Sequence, residues 1–163
     1  MNLKSYLTIF VIFSLITSLS FAFCGTGDGS IGNPYLICTP DDLNQTRDDL
    51  TAHYKLNNSI DLDVAPYNTG EGWLPIGNWT DFGPYCFQGN FDGDNFIISN
   101  LYINRPTSDT VGLFGSIKNS NISNMKLINV NITGKIVGGL VGRTSGTDYI
   151  NNSYIMGNIN GTQ

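Results

Sequence analysis

A six-residue pattern occurs three times in the second half of this chain. Ile98-Ser99-Asn100-Leu101-Tyr102-Ile103, Ile122-Ser123-Asn124-Met125-Lys126-Leu127 and Ile150-Asn151-Asn152-Ser153-Tyr154-Ile155 each open and close on an apolar residue, carry Asn third, and lie at offsets of 24 and 28. Two further marks recur at an offset of 27: Gly112-Leu113-Phe114-Gly115 with Gly139-Leu140-Val141-Gly142, and Asn131-Ile132-Thr133-Gly134 with Asn158-Ile159-Asn160-Gly161. A period in the twenties means that each repeat is one supersecondary unit stacked on its neighbours. Each unit here carries about three short strand patterns and no helical one. A leucine-rich repeat would need a regular Leu lattice, and a propeller blade about forty residues. A β-sandwich is the other all-β candidate, but its strands would not carry periodic Gly and Asn. The expected fold is all-β, a parallel β-helix. Apolar residues stack inward between coils, the box residues Gly112, Gly115, Gly139 and Gly142 allow the corners, and Leu113 and Leu140 face the core. Asn124 and Asn152 share a corner and form an amide ladder.

Upstream, residues 24–33 are a Gly-rich lead-in, followed by the short β-prone run Tyr35-Leu36-Ile37-Cys38. Thr39 can cap a helix, Pro40 suits its first position, and Asp41 and Asp42 complement its positive end. This predicts one helix from Pro40 to about His53, capping the stack, with coils over 54–163 and a lead-in over 23–53. Tyr54-Lys55-Leu56 and Ile60-Asp61-Leu62-Asp63 alternate apolar with polar, as strands do. Asp92-Gly93-Asp94-Asn95 is a tight turn between two strands.

Residues 1–22 read as a signal peptide: Lys4, an uncharged apolar run from Leu7 to Leu19, and the small residues Ser20 and Ala22 at a cleavage site. The alternative is an uncleaved anchor, because the run approaches the roughly 18 residues that a span needs. Charged residues make up 13% of the chain and the formal net charge is −5. No basic stripe exists, which argues against a nucleic-acid partner. Export permits a disulfide among Cys24, Cys38 and Cys86. Cys24 with Cys38, closing a short Gly-rich segment, is the expected pair, and Cys38 with Cys86 is the alternative. The N-x-S/T sites Asn44, Asn57, Asn78, Asn121, Asn131, Asn151 and Asn160 are candidate N-glycosylation positions.

Candidate chemistry is sparse. His53 is the single histidine and has no HExxH companion, so it is expected at the helix end, near the last carbonyls. Asp61 with Asp63, and Asp92 with Asp94, are the carboxylate pairs that a polysaccharide lyase or glycosidase would need. Their strand and turn positions already account for them. Asp92, Asp94 and Asn95 offer oxygens to Ca²⁺, but not at EF-hand spacing. No catalytic, cofactor or metal residue is assigned. Tyr67, Trp73, Trp79, Phe82 and Tyr85 crowd one region, as a glycan-stacking patch or as cover for the first coils.

Trp73-Leu74-Pro75-Ile76-Gly77, Phe87-Gln88-Gly89-Asn90-Phe91-Asp92-Gly93, Ile98 to Ile103 and the two Gly-Leu-x-Gly boxes, together with Asn33-Pro34-Tyr35-Leu36-Ile37, resemble the GLUG-repeat family. The turn Asp92-Gly93-Asp94-Asn95 departs from the Asn-Gly more usual there. The resemblance implies a right-handed β-helix in exported, adhesin-like surface proteins, and repeats of this kind also occur beside catalytic domains of secreted metallopeptidases. The expected role is a non-catalytic secreted or cell-surface module for adhesion, stalk or scaffold. A polysaccharide-active enzyme or an accessory peptidase segment is the alternative. The expected partner is an extracellular protein or glycan. Because the last repeat lacks a closing segment, end-to-end association or continuation of the array is expected too.

Overall fold

The computed structural model describes residues 23–80 and 83–162. The expected signal peptide, 1–22, lies outside the described residues, as does Phe82. Among the described residues no helix is long and apolar enough to cross a membrane.

Over the described residues the chain is almost entirely β, with one short helix and parallel sheets that do not close into a barrel. In order, the elements are β1 (Tyr35–Ile37), α1 (Pro40–Gln45), β2 (Tyr54–Leu56), β3 (Ile60–Asp61), β4 (Asn78–Thr80), β5 (Gly83–Tyr85), β6 (Asn90–Asp92), β7 (Ile97–Ser99), β8 (Tyr102–Arg105), β9 (Phe114–Lys118), β10 (Asn121–Ser123), β11 (Lys126–Gly134), β12 (Val141–Ser145), β13 (Tyr149–Asn151) and β14 (Tyr154–Gly161). One sheet runs β1-β2-β6-β10-β13, a second β3-β7-β11-β14 with β8 also on β11, and a third pairs β9 with β12. From β9 onward consecutive strands go to different sheets, and each sheet gains its next strand one repeat later. Ile122 lies opposite Ile150, Leu127 opposite Ile155, Ile132 opposite Ile159 and Phe114 opposite Val141.

The register separates two of the three sequence copies from the first. Ile98 does not align with Ile122. It pairs with Leu127, while Ile122 pairs with Phe91. The Ile-x-Asn signal therefore marks two different corners, and there are two Asn ladders. In one, Asn100 Nδ2 donates to Asp61 Oδ1 at 2.7 Å, and Asn129 donates to Asn100 Oδ1. In the other, Asn124 Nδ2 donates to Asp92 Oδ1 at 2.7 Å and Asn152 to Asn124 Oδ1 at 2.5 Å. A carboxylate only accepts, so the Asp at each base sets the direction of every amide above it.

The corners are turned by Asn rather than by the box glycines. Asn100, Asn124, Asn129 and Asn152 all have φ between 47° and 59°, a left-handed conformation that Asn tolerates better than most residues. The box glycines instead allow close approach between backbones: a Cβ on Gly115 would lie 2.5 Å from the Gly77 carbonyl oxygen. Asp94 and Asn95 are also left-handed, but their turn sends β6 and β7 to different sheets, so it is a corner and not a hairpin.

The interior is filled by inward residues of successive repeats: Ile37, Leu56, Phe91 and Ile122 from the first sheet, Ile98, Leu127 and Ile132 from the second, all fully buried. Aromatic rings run along the stack, from Phe23 on Tyr35 (centroids 4.6 Å) through Tyr54 and Phe91 to Phe114. The helix is shorter than its sequence suggests. Its start is as expected, with a Thr39–Asp42 capping box and Pro40 in the first turn. Its end comes early because Thr46 Oγ1 donates to the Leu43 carbonyl at 2.7 Å, and Asp49 Oδ1 takes the amides of Thr51 and Ala52. Such local side-chain bonds offer the backbone an alternative to helix. Stacking also starts before Tyr54, because β1 already pairs in parallel with β2.

Candidate functional site

One stretch breaks the stacking pattern. Ile76 bridges to Phe114 and Phe87 to Ile117, both on β9. Between them, the antiparallel hairpin β4-β5 leaves the sheet, with Asn78 opposite Tyr85. Gly77 permits the departure: its φ is +71°, and a Cβ there would sit 2.5 Å from the Ser116 carbonyl oxygen. Insertions in repeat arrays gather on one face and often form its binding surface. Here the hairpin walls a cleft of about 600 Å³, closed on the other sides by the turn after α1 and by residues 105–111. That volume is in the range of small-molecule sites, ~300–1,000 Å³.

Trp79 and Tyr85 line the cleft and are 37% and 60% exposed. The Arg143 guanidinium, from β12 and outside the cleft lining, lies 3.9 Å from the centre of the Trp79 ring, a cation–π contact that steadies the indole. Opposite stands Arg47, over the fully buried Trp73 at 4.3 Å. Its Nη1 donates to the Asn44 carbonyl at 2.9 Å and to the Asn44 side chain, and its Nη2 donates to the Leu74 carbonyl. Its Nε is buried without a partner among the described residues. Burial, and secondarily the neighbouring Arg105, push Arg47 down to about 10, with Tyr67 and Asp48 opposing. It therefore remains cationic at neutral pH. Arg105 pairs with Glu71 at 2.6 Å, and Asp109 with Lys135 at 3.2 Å. Thr110, 4% exposed, completes the wall, its Oγ1 without a hydrogen bond among the described residues.

The other sequence candidates have structural positions. His53 is not at a helix end. Its Nδ1 accepts the Asn90 amide at 3.0 Å, tying β2's approach to β6. Asp61 and Asp92 are the ladder bases. Asp61 also accepts the Asp63 amide, and that bond, with the Asn100 amide next, lowers its pKa. Asp94 pairs with Lys55 at 3.1 Å, so the proposed Ca²⁺ oxygens face hydrogen-bond donors and a cation. Of the aromatic group, Tyr67 and Trp73 are core, 5.2 Å apart, with the Tyr67 hydroxyl donating to Asp41 at 2.6 Å. Cys24 and Cys38 form a disulfide, with Cα atoms 5.9 Å apart, and Cys86 is free and buried. Asp42, beside the disulfide, accepts the Cys38 and Thr39 amides at 2.9 Å. Asn44, Asn57, Asn78, Asn131, Asn151 and Asn160 are exposed, and Asn121 is half-buried. Gly112, Leu113 and Gly115 stack against Gly139, Leu140 and Gly142 through main-chain bonds such as the Phe114 amide to the Leu140 carbonyl, 2.8 Å.

Residue-by-residue reading missed Arg47, Arg105, Thr110 and Arg143. A helix running to His53 would have placed Arg47 on a solvated face. The signal that was present is the hairpin: eight residues between Gly77 and Cys86 with no counterpart between Gly115 and Ser116.

No family model matches the chain. It is 39% identical over 127 residues to halomucin of Haloquadratum walsbyi, an alignment covering 74% of this chain and 1% of halomucin. It is 35% identical over 148 residues to a protein described as a Gly-rich membrane protein of Evansella cellulosilytica, covering 86% of this chain and 17% of that protein. The chain thus spans a small share of either relative. Its architecture is similar to the crystal structure of a candidate immunoglobulin A1 protease from Bacteroides ovatus, with a TM-score of 0.65, 20% identity, and coverage of 85% of this chain and 41% of that one. At that identity the likeness concerns the fold alone.

Proposed function

We propose that the chain is a right-handed parallel β-helix module of the GLUG-repeat kind, carried at a cell surface or secreted, and that it serves as a rigid stalk and adhesive or interaction scaffold rather than as a catalyst. The observation that carries this reading is the repeat register. From β9 onward each repeat delivers one strand to each sheet, directly over its predecessor, and the corners are joined by directional Asn ladders. Such stacking gives an elongated body whose outer faces are available to partners. The Cys24–Cys38 disulfide suits an oxidising compartment, and the relatives are a mucin by name and a membrane protein by description. Of the carboxylates that hydrolysis would use, Asp61 and Asp92 are ladder bases, Asp94 is in an ion pair, and Asp63 accepts from the Asn68 side chain. An accessory place beside a peptidase domain is the second reading, favoured by the Bacteroides ovatus neighbour.

The last repeat presents Ile150, Ile155 and Ile159, and the partner proposed for it is another β rung, from a second copy or a longer array. Beads carrying the chain are expected to adhere to protein- or glycan-coated surfaces and to leave acidic polysaccharides uncut. Release of new reducing ends or unsaturated uronates would overturn the non-catalytic reading.

A further inference from the structure

The cleft beside the β4-β5 hairpin reverses the charge of its surroundings. The chain carries a formal charge of −5, yet Arg47 and Arg105 face a single lining carboxylate, Asp109. Arg105 and Asp109 have partners of opposite charge, whereas Arg47 pairs with no carboxylate among the described residues. Its bonds go to neutral oxygens. A largely buried cation without a counter-charge is costly, and an arriving anion relieves that cost.

Thr110, on the same wall, has φ +69°, a left-handed conformation in which a β-branched residue is an outlier. Its hydroxyl oxygen is one of four buried side-chain polar atoms without a partner among the described residues, and Arg47 Nε is another. Strain of this kind persists only where the surroundings hold it, and it gathers at binding sites. Trp79 and Tyr85 add two exposed, rigid apolar faces, the first steadied by Arg143 from outside.

We propose that this cleft binds an acidic saccharide, its sugar rings stacked on Trp79 and Tyr85 and its carboxylate directed to Arg47 and Arg105. The proposal rests on the interaction-module reading and names a ligand class for it. The paired platforms favour a sugar over an acidic peptide, because a peptide carboxylate needs the guanidinium groups but not the flat rings. Asn78 lines the cleft and is a candidate glycosylation position, so the chain is best tested free of N-glycans.

The experiment is titration calorimetry of the purified chain with tetragalacturonate, its methyl ester, a hyaluronan tetrasaccharide and a tetra-glutamate peptide. At least one uronate oligosaccharide is expected to bind at least tenfold tighter than the ester and the peptide. Arg47→Gln and Tyr85→Ala are each expected to weaken that binding at least tenfold. Equal binding of acid and ester, equal binding of the peptide, or wild-type affinity in Tyr85→Ala would overturn the proposal. Should Arg47→Gln fail to melt cooperatively, Tyr85→Ala decides, since its side chain is exposed and its loss leaves the core intact. A chain that binds no uronate yet still adheres to coated surfaces overturns the cleft and leaves the module reading standing.

Discussion

Asn124 carries two jobs in one side chain. Its backbone turns a corner at φ +56°, while its amide donates to Asp92 and accepts from Asn152. Few residues combine left-handed tolerance with both hydrogen-bond polarities. Tyr67 and Tyr54 show a second economy, in which a buried ring is satisfied by a single hydroxyl bond, to Asp41 at 2.6 Å and to the Asp49 carbonyl at 2.7 Å. Burial raises both phenols well above their ordinary range, with the Asp41 bond adding to it for Tyr67 and the Asp49 charge for Tyr54. The neutral form is thus favoured in the folded state. Their contribution is fully present below the ordinary phenol value of about 10 and is lost as pH rises above it, because the unfolded chain ionises first. Melting temperature is therefore expected to fall above about pH 10, in step with phenolate absorbance. Tyr67→Phe should flatten that fall, and an unchanged slope would refute the assignment.

At the level of elements, the ladders tie corners that the strands alone would leave free. Asn124→Gly keeps the left-handed backbone and loses two bonds of order 1 kcal/mol each, for a destabilisation of about 1–2 kcal/mol. Asn124→Ala adds a left-handed penalty of about 1–2 kcal/mol to that loss. Chemical denaturation should rank wild type above Asn124→Gly above Asn124→Ala; equal stability of the two variants would mean that the corner is not held left-handed. Much of this architecture is legible in the residues. The 27-residue offsets name the true partners Phe114 with Val141 and Ile132 with Ile159, because inward positions repeat one per turn. Less legible is the Ile-x-Asn copy at Ile98, since the same residue types serve any corner that needs positive φ, so similarity of pattern does not specify which corner. The helix end was hidden in Thr46 and Asp49, whose side chains compete for backbone groups without disturbing apolar periodicity. The cleft was half legible: its aromatic wall is visible as Trp79 and Tyr85, but Arg47 and Arg105, far apart in sequence, meet only through the stacking.

Over the described residues the two ends of the stack differ. At the first end, Ile37 and the α1 residue Leu43 are fully buried, Phe23 packs against the same core, and a disulfide closes the lead-in. At the other, Ile150 is 46% exposed although its partner Ile122 is completely buried. Exposed apolar residues in register with a core mark a surface that gains by being covered. Sedimentation velocity is expected to show concentration-dependent association of the chain, abolished by Ile155→Asp with little change in melting temperature. A monomer at all concentrations would refute it.

The Asp-based polarity of the ladders bears on how such a chain can lengthen. Asn both gives and receives, so a duplicated rung bearing Asn fits above or below any other Asn rung and leaves its neighbours satisfied. Asp only receives. Placed mid-ladder while ionised, it would offer the rung beneath no donor and set two acceptors face to face. Asn is thus the letter that gene duplication can copy freely, and Asp61 and Asp92 act as punctuation, each usable once, at the foot of its column.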